Sequence, residues 1–162
     1  MRLTATRRIE FSAGHRVLRE GSKCKQFHGH NYVVELTALG LDSETDPLGR
    51  VIDFALVKKK LGGWVNENWE GGFIIWKDDT QGLMALAQIA DQKMFVLERP
   101  PTPEHIARHL LDVVASDVLR GSGITVVKVQ IWETPSQSVT IMGDEYVRLM
   151  TAREKKNDDS KE

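Results

Sequence analysis

Apolar residues recur at alternate positions at the start of the chain, where Leu3, Ala5, Ile9 and Phe11 share one face and Arg7 is the exception. That period belongs to a half-buried strand, predicted over Arg2 to Phe11 and broken by Ser12-Ala13-Gly14. A second strand is predicted from Phe27 to Leu39, with His28, His30, Tyr32, Val34, Leu36 and Ala38 on one face. Leu41 to Leu48 reads as a turn. Asp53 then caps a helix whose apolar stripe is Phe54, Val57 and Leu61, and Gly62-Gly63 stops or interrupts it. Trp64 to Trp76 mixes aromatics, asparagines and glycines and takes no assignment, Gln81 to Ala90 is mildly helical, and Lys93 to Leu97 suits a short edge strand. The clearest helix follows. Thr102 is its N-cap, Pro103 its first residue, and Ala107, Leu110, Leu111, Val114 and Val118 point inward until Gly121-Ser122-Gly123 ends it. Ile124 to Glu133 is a strand and Ser138 to Tyr146 its hairpin partner. The order predicts an α+β domain of antiparallel hairpins rather than a parallel crossover sheet.

Composition narrows the function. The 162 residues suit one domain, assigned to residues 1–152, and residues 153–162 carry eight charges, four of each sign, which predicts a disordered tail. A net charge of -1 removes the overall basic field that would recruit nucleic acid or an anionic membrane. No run of about 18 apolar residues could span a bilayer, and the N-terminal stretch lacks a signal-peptide pattern, so a cytoplasmic protein is expected. A single cysteine excludes an intramolecular disulfide. The scarce residues cluster, since Cys24 and three of the five histidines fall between His15 and His30.

His28 and His30, two apart on a strand, project in parallel, and His15 from the preceding loop could complete a three-nitrogen face on one metal. Zinc held by three imidazoles keeps a fourth position for water or substrate. Spacing alone leaves open the alternative that these rings only pack and hydrogen-bond. Cys24, between Lys23 and Lys25, is placed to be a reactive thiolate or simply a small loop residue. Glu133 ends a strand, where a carboxylate could accept two parallel N–H bonds from an amino-pyrimidinone edge or be merely solvated. His105 and His109 read as surface residues, Lys58-Lys59-Lys60 as a solvated helix face, and Trp64, Trp69 and Trp76 as aromatic packing or a subunit contact.

Five segments, Phe11-Ser12-Ala13-Gly14-His15, Cys24 to Tyr32, Val51-Ile52-Asp53-Phe54, Pro101 to His105 and Glu133-Thr134-Pro135, resemble the 6-pyruvoyl-tetrahydropterin synthase / 6-carboxy-tetrahydropterin synthase family. The resemblance implies a tunnelling fold: a four-stranded antiparallel sheet with two helices on one side, assembled into trimeric barrels that stack as hexamers with sites at subunit interfaces. It implies 7,8-dihydroneopterin triphosphate as substrate. The bacterial branch yields 6-carboxy-5,6,7,8-tetrahydropterin, acetaldehyde and triphosphate, on the way to 7-deazaguanine compounds such as queuosine. Carried onto this chain, it implies Zn2+ at His15, His28 and His30, proton transfer by Cys24, pterin anchoring by Glu133, and substrate contact or helix capping by Thr102 and Glu104.

The chain departs from that pattern in its middle. The family usually has an Asp-His pair where this sequence reads Trp69-Glu70-Gly71-Gly72, so Gly71 stands in for the expected histidine. His105, Asp78 or Asp79 then has to substitute, or the reaction differs. Three readings follow: a zinc-dependent carboxy-tetrahydropterin synthase or a pyruvoyl-type or aldolase variant of it, a pterin-binding paralogue with lost turnover, and a structural zinc protein with Cys24 as fourth ligand.

Overall fold

A computed structural model describes residues 2–18, 23–41, 46–144 and 146–148; the tail assigned to residues 153–162 lies outside the described residues. Six strands, β1 (Arg2–His15), β2 (His28–Leu41), β3 (Gly72–Trp76), β4 (Met94–Leu97), β5 (Val126–Thr134) and β6 (Gln137–Met142), form one sheet in the order β4-β3-β1-β2-β5-β6. The expected antiparallel four, β1-β2-β5-β6, are present. The sheet is not limited to them, because β3 runs parallel to the end of β1 and β4 parallel to β3.

Strand β1 runs on through Ser12-Ala13-Gly14, where a break was expected, because this stretch pairs on both sides: Ala13 with His30 and with Gly72, and Gly14 with Gly29 and Phe73. Gly14 suits that position since a Cβ would fall 2.3 Å from the Phe73 ring. Helix α1 covers residues 54–68: α-helical Phe54–Val57, a π-helical stretch Lys58–Gly62 and α-helical Gly63–Asn68. Asp53 caps it by accepting from the Ala55 and Leu56 N–H groups. Gly62 and Gly63 do not end it, because both keep right-handed helical angles while fully buried Leu61 and nearly buried Val65 anchor the flanking turns. Helix α2 is Thr80–Ala87. Helix α3 covers residues 103–118, from Pro103–His109 through a π-helical Leu110–Ala115 to Ser116–Val118.

Phe11, Tyr32, Val34, Leu36, Val129 and Ile131 line the apolar sheet face and pack against Val57, Leu61 and Val65 of α1 and Ile106, Leu110 and Val114 of α3 in one core. The two long helices therefore lie on one side of the sheet. Trp69, fully buried where α1 turns into β3, touches the rings of Phe11, Trp64 and Phe95. On β3, Ile74 faces the main core while Ile75, equally buried, lies beneath α2.

Candidate metal centre

His15 ends β1 and His28 opens β2 directly opposite it, while His30 pairs with Ala13 one pleat further in. The third imidazole thus comes from a strand end rather than from a loop. The period-2 alternation that buries Tyr32 and Val34 also turns His28 and His30 to the helix-covered face. One ring nitrogen from each histidine lies within 4.8 Å of the others, the only such cluster of three or more His, Cys, Asp or Glu among the described residues.

Backbone carbonyls set the tautomers. His15 Nδ1 donates to the Pro101 carbonyl at 2.8 Å, and His28 Nδ1 donates to the Gln26 carbonyl at 2.9 Å. With both protons held on Nδ1, the two Nε2 atoms face each other at 3.0 Å as lone pairs. Two neutral rings repel in that pose, and an electrophile between them removes the repulsion. His30 Nε2 is buried and has no hydrogen-bond partner. Two facing lone pairs and a third, unpartnered ring nitrogen beside them fit a divalent cation of the borderline-soft kind that imidazole prefers.

Burial disfavours the charged form of His15 and His30. His15 is pushed down to about 4, first by burial and then by the neighbouring His28 and His30, against the upward pull of the Pro101 carbonyl. His30 is also lowered, chiefly by burial, although Glu133 pulls the other way. Tyr32, fully buried, has its hydroxyl 3.3 Å from His15 Nδ1 and is held in its protonated form by burial and by Glu133.

Glu133 joins this group. It follows Ile131 at alternate spacing on β5, so its side chain shares the covered face, and its Oε1 lies 3.5 Å from His15 Nε2 and 3.7 Å from His30 Nε2. Cys24 sits on an exposed 3-10 turn, Lys23–Lys25, whose carbonyl at Cys24 accepts from the Val17 N–H at 2.8 Å. Thr102 caps α3 through the His105 N–H, and Glu104 is exposed in the first turn of that helix.

Of the three candidates for the missing base, Asp78 is exposed, and Asp79 and His105 are committed to other partners. Asp79 is buried, bonded to both nitrogens of an Arg16 fork, and held below the ordinary carboxylate range chiefly by those bonds. His105 bonds the Pro100 carbonyl at 2.8 Å and lines a separate cleft with Arg99, Arg108 and His109. His109 is half-buried, its ring 5.3 Å from Phe95 and 6.1 Å from Trp64. Gly71 has φ +69 and open space where a Cβ would go, its N–H bonds the Ser12 carbonyl at 2.8 Å, and the Glu70 carboxylate accepts from the Ser12 N–H at 2.9 Å. With Gly14, Gly29 and His30, Gly71 lines a cleft of about 410 Å3.

Sequence reasoning missed the carbonyls of Pro101 and Gln26, the Tyr32 hydroxyl and the Arg16–Asp79 pair. Only the Pro100-Pro101-Thr102-Pro103 run carried a signal, since prolines before an N-cap fix where the preceding carbonyls point.

The model of the 6-pyruvoyl tetrahydropterin synthase family matches residues 4–144. The 6-carboxy-5,6,7,8-tetrahydropterin synthase of Rickettsia bellii is 36% identical over 139 residues, covering 86% of this chain and 99% of that one. The synthase of the same name from Aquifex aeolicus is 33% identical over 159 residues, covering 83% and 94%. Among solved structures, an uncharacterized protein of Wolinella succinogenes shares the fold with a TM-score of 0.75 at 21% identity, over 89% of this chain and 99% of that one. The 6-pyruvoyl tetrahydropterin synthase of Caenorhabditis elegans does so with a TM-score of 0.63 at 25% identity, over 89% and 97%. With its fold, its histidine face and a matched span that runs from β1 past β6, this chain belongs to the 6-pyruvoyl tetrahydropterin synthase family.

Proposed function

We propose that this protein is a zinc-dependent lyase of the 6-carboxy-5,6,7,8-tetrahydropterin synthase type, acting on 7,8-dihydroneopterin triphosphate in the cytoplasm as a homohexamer. The observation that carries the reading is the convergence of three imidazole nitrogens, two of them on rings whose tautomers are set by the Pro101 and Gln26 carbonyls. His15, His28 and His30 would hold the ion, which when bound supplies Lewis-acid polarisation of the substrate's side-chain hydroxyls. Glu133 accepts two N–H bonds from the amino-pyrimidinone edge of the pterin, and its place beside the triad sets the ring's side chain against the metal face. Burial keeps His15 neutral, so the ligand set is available near neutral pH. Cys24 moves the proton at its Sγ from its exposed turn. Thr102 caps α3 next to the Pro101 carbonyl, and Thr102 or Glu104 of the first turn contacts the bound substrate in this reading.

Purified protein loaded with zinc and given 7,8-dihydroneopterin triphosphate is expected to release 6-carboxy-tetrahydropterin and acetaldehyde, followed by mass spectrometry. A 6-pyruvoyl or 6-hydroxymethyl product moves the protein to the corresponding rival reaction. Intact substrate at high enzyme concentration sinks the lyase reading. Gly71 supports a second reading, a pterin-binding relative without turnover, because of the candidate substitutes Asp79 is committed to Arg16 and His105 to the Pro100 carbonyl, leaving only the exposed Asp78. In that case the ligand binds, turnover is absent, and Gly71→His restores it, at the cost of the backbone strain that φ +69 imposes on any side chain there.

A further inference from the structure

We propose that Arg16 and Asp79 form a positioning clamp that holds the two ends of the metal-binding hairpin in register, so that the histidine nitrogens meet at one point. The inference rests on the metal reading of the triad. Both side chains are taken out of water, Arg16 with 10% and Asp79 with 2% of its side chain exposed, and the guanidinium fork engages both carboxylate oxygens.

The position of this pair separates it from an ordinary ion pair. Arg16 directly follows the ligand His15, and the next residue, Val17, donates its N–H to the Cys24 carbonyl at 2.8 Å. The same guanidinium lies 4.7 Å over the ring of Phe27, which directly precedes the ligand His28. Phe27 in turn meets Phe73 of β3 edge-on at 5.4 Å, and the Phe73 ring occupies the space a side chain at position 14 would need. The cation thus sits next in chain to the last residue of β1 and over Phe27, which adjoins the first residue of β2, while the following Val17 N–H ties the turn that bears Cys24.

Asp79 anchors the grip to a separate element. Its carboxylate also accepts from the Gly82 N–H at 2.9 Å and so caps α2. Gly82 lies inside that helix, where glycine is a poor choice, and a Cβ there would fall 2.5 Å from Asp79 Oδ2 and 2.8 Å from Ile75 Cδ1. The helix therefore takes a glycine to seat the carboxylate. Stability is weak grounds for the pair, since buried ion pairs are often no more stabilising than apolar residues of the same volume. Orientation does account for it: a planar fork fixed at two oxygens, with a ring beneath it, defines a direction that neither partner defines alone. The segment from β3 to α2 thereby acquires a role at the metal face.

The test compares wild type with Asp79→Asn, which keeps the helix cap and volume, and with Arg16→Met/Asp79→Asn, which removes both buried charges and leaves an apolar stem over Phe27. Zinc affinity is read by chelator competition on metal-stripped protein, ligand geometry by the visible spectrum of the cobalt-substituted protein, and folding by thermal melts of the apo form. Groups that hydrogen-bond metal ligands contribute about 10–100-fold in metal affinity, and this pair acts one step further out, so both variants are expected to lose about tenfold, the low end of that range, and to show an altered cobalt spectrum. The double variant is expected to do so with an apo melting temperature close to wild type. If the double variant binds zinc within about twofold of wild type with an unchanged cobalt spectrum, the pair serves stability alone and the clamp is wrong. A wild-type protein that takes up no zinc overturns the metal reading and the clamp with it.

Discussion

The antiparallel and parallel parts of the sheet are built by different rules. Strands β1 and β2 pair without interruption from Arg2–Leu41 to His15–His28, and β5 continues the alternation of covered and open positions as far as Glu133. Every chemically distinctive side chain of the metal face lies on that part. The parallel part is small: β3 meets β1 at Ala13, Gly14 and His15 only, and β4 meets β3 over four pairs. It contributes no metal ligand, yet it supplies Phe73, and α2 beside it seats Asp79. The contrast separates donor groups, which regular pairing delivers in parallel, from the props that aim them, which come from distant segments meeting the strand ends.

The sharpest break in that contrast is on the antiparallel side. His28→Ala removes one of three ligands and leaves the facing His15 nitrogen without its counterpart. Zinc content measured on purified protein is expected to fall to background, and turnover by about 10⁴-fold, the several kcal/mol that a Lewis acid contributes to such chemistry. An equal loss of folding stability would instead give the histidine a packing role. On the other side, Trp69 joins α1, β3 and the aromatic group of Trp64, Phe95 and His109. Trp69→Ala is expected to cost about 3–5 kcal/mol in a denaturant melt, because a fully buried indole leaves a cavity that four surrounding rings cannot close. A loss under about 1 kcal/mol would show that the parallel part is not welded to the core through this residue.

The same division decides what the sequence disclosed. The facing of His28 and His30 was legible because period-2 alternation is local, and the caps Asp53 and Thr102 were legible because an N-cap depends on its own next three residues. β3 was illegible, since Ile74 and Ile75 are both buried, one under each covering layer, and such a strand has no alternation to read. Ser12-Ala13-Gly14 reads as a break by local propensity, but pairing on both sides and the Phe73 ring against Gly14 overrule it. Gly62-Gly63 misleads for a similar reason, as the buried Leu61 and Val65 hold the helix through two poor helix formers. The proximity of Glu133 to the triad is a long-range consequence of β2–β5 register, which no spacing along the chain announces.

Acid sharpens the comparison from the antiparallel side. His15 in the native state takes a proton only near pH 4, whereas in the unfolded chain it does so near its ordinary 6.5. Between those values the unfolded state holds more protons, so native stability, complete above about 6.5, falls as the pH drops toward 4 and no further below it. His15 alone accounts for about 3 kcal/mol over that window, and His30 and His109, also lowered, act in the same direction. Melts of metal-stripped wild type across this range should show the loss, and His15→Gln should flatten most of it. A wild-type curve that stays flat from pH 6.5 to 4 would mean that the triad accepts protons without strain and that the facing lone pairs are not the source of its metal preference.

The smallest expected effect tests where the two parts of the molecule touch the site together. Thr102 ends the Pro100-Pro101 run, caps α3 through the His105 N–H at 3.4 Å, and adjoins the carbonyl that fixes the His15 tautomer. If its work is capping, Thr102→Ala costs about 1 kcal/mol of stability, Thr102→Ser recovers it, and turnover per zinc-loaded protein changes by less than about twofold. If the hydroxyl also contacts substrate, Thr102→Ala raises KM beyond what the stability loss produces while zinc affinity stays at the wild-type value. A fall in zinc affinity with stability preserved marks a third outcome, in which the cap matters because it aims the Pro101 carbonyl. That outcome would extend to α3 the rule drawn from Asp79, that helix N-termini on separate elements set the direction of ligands carried by the antiparallel strands.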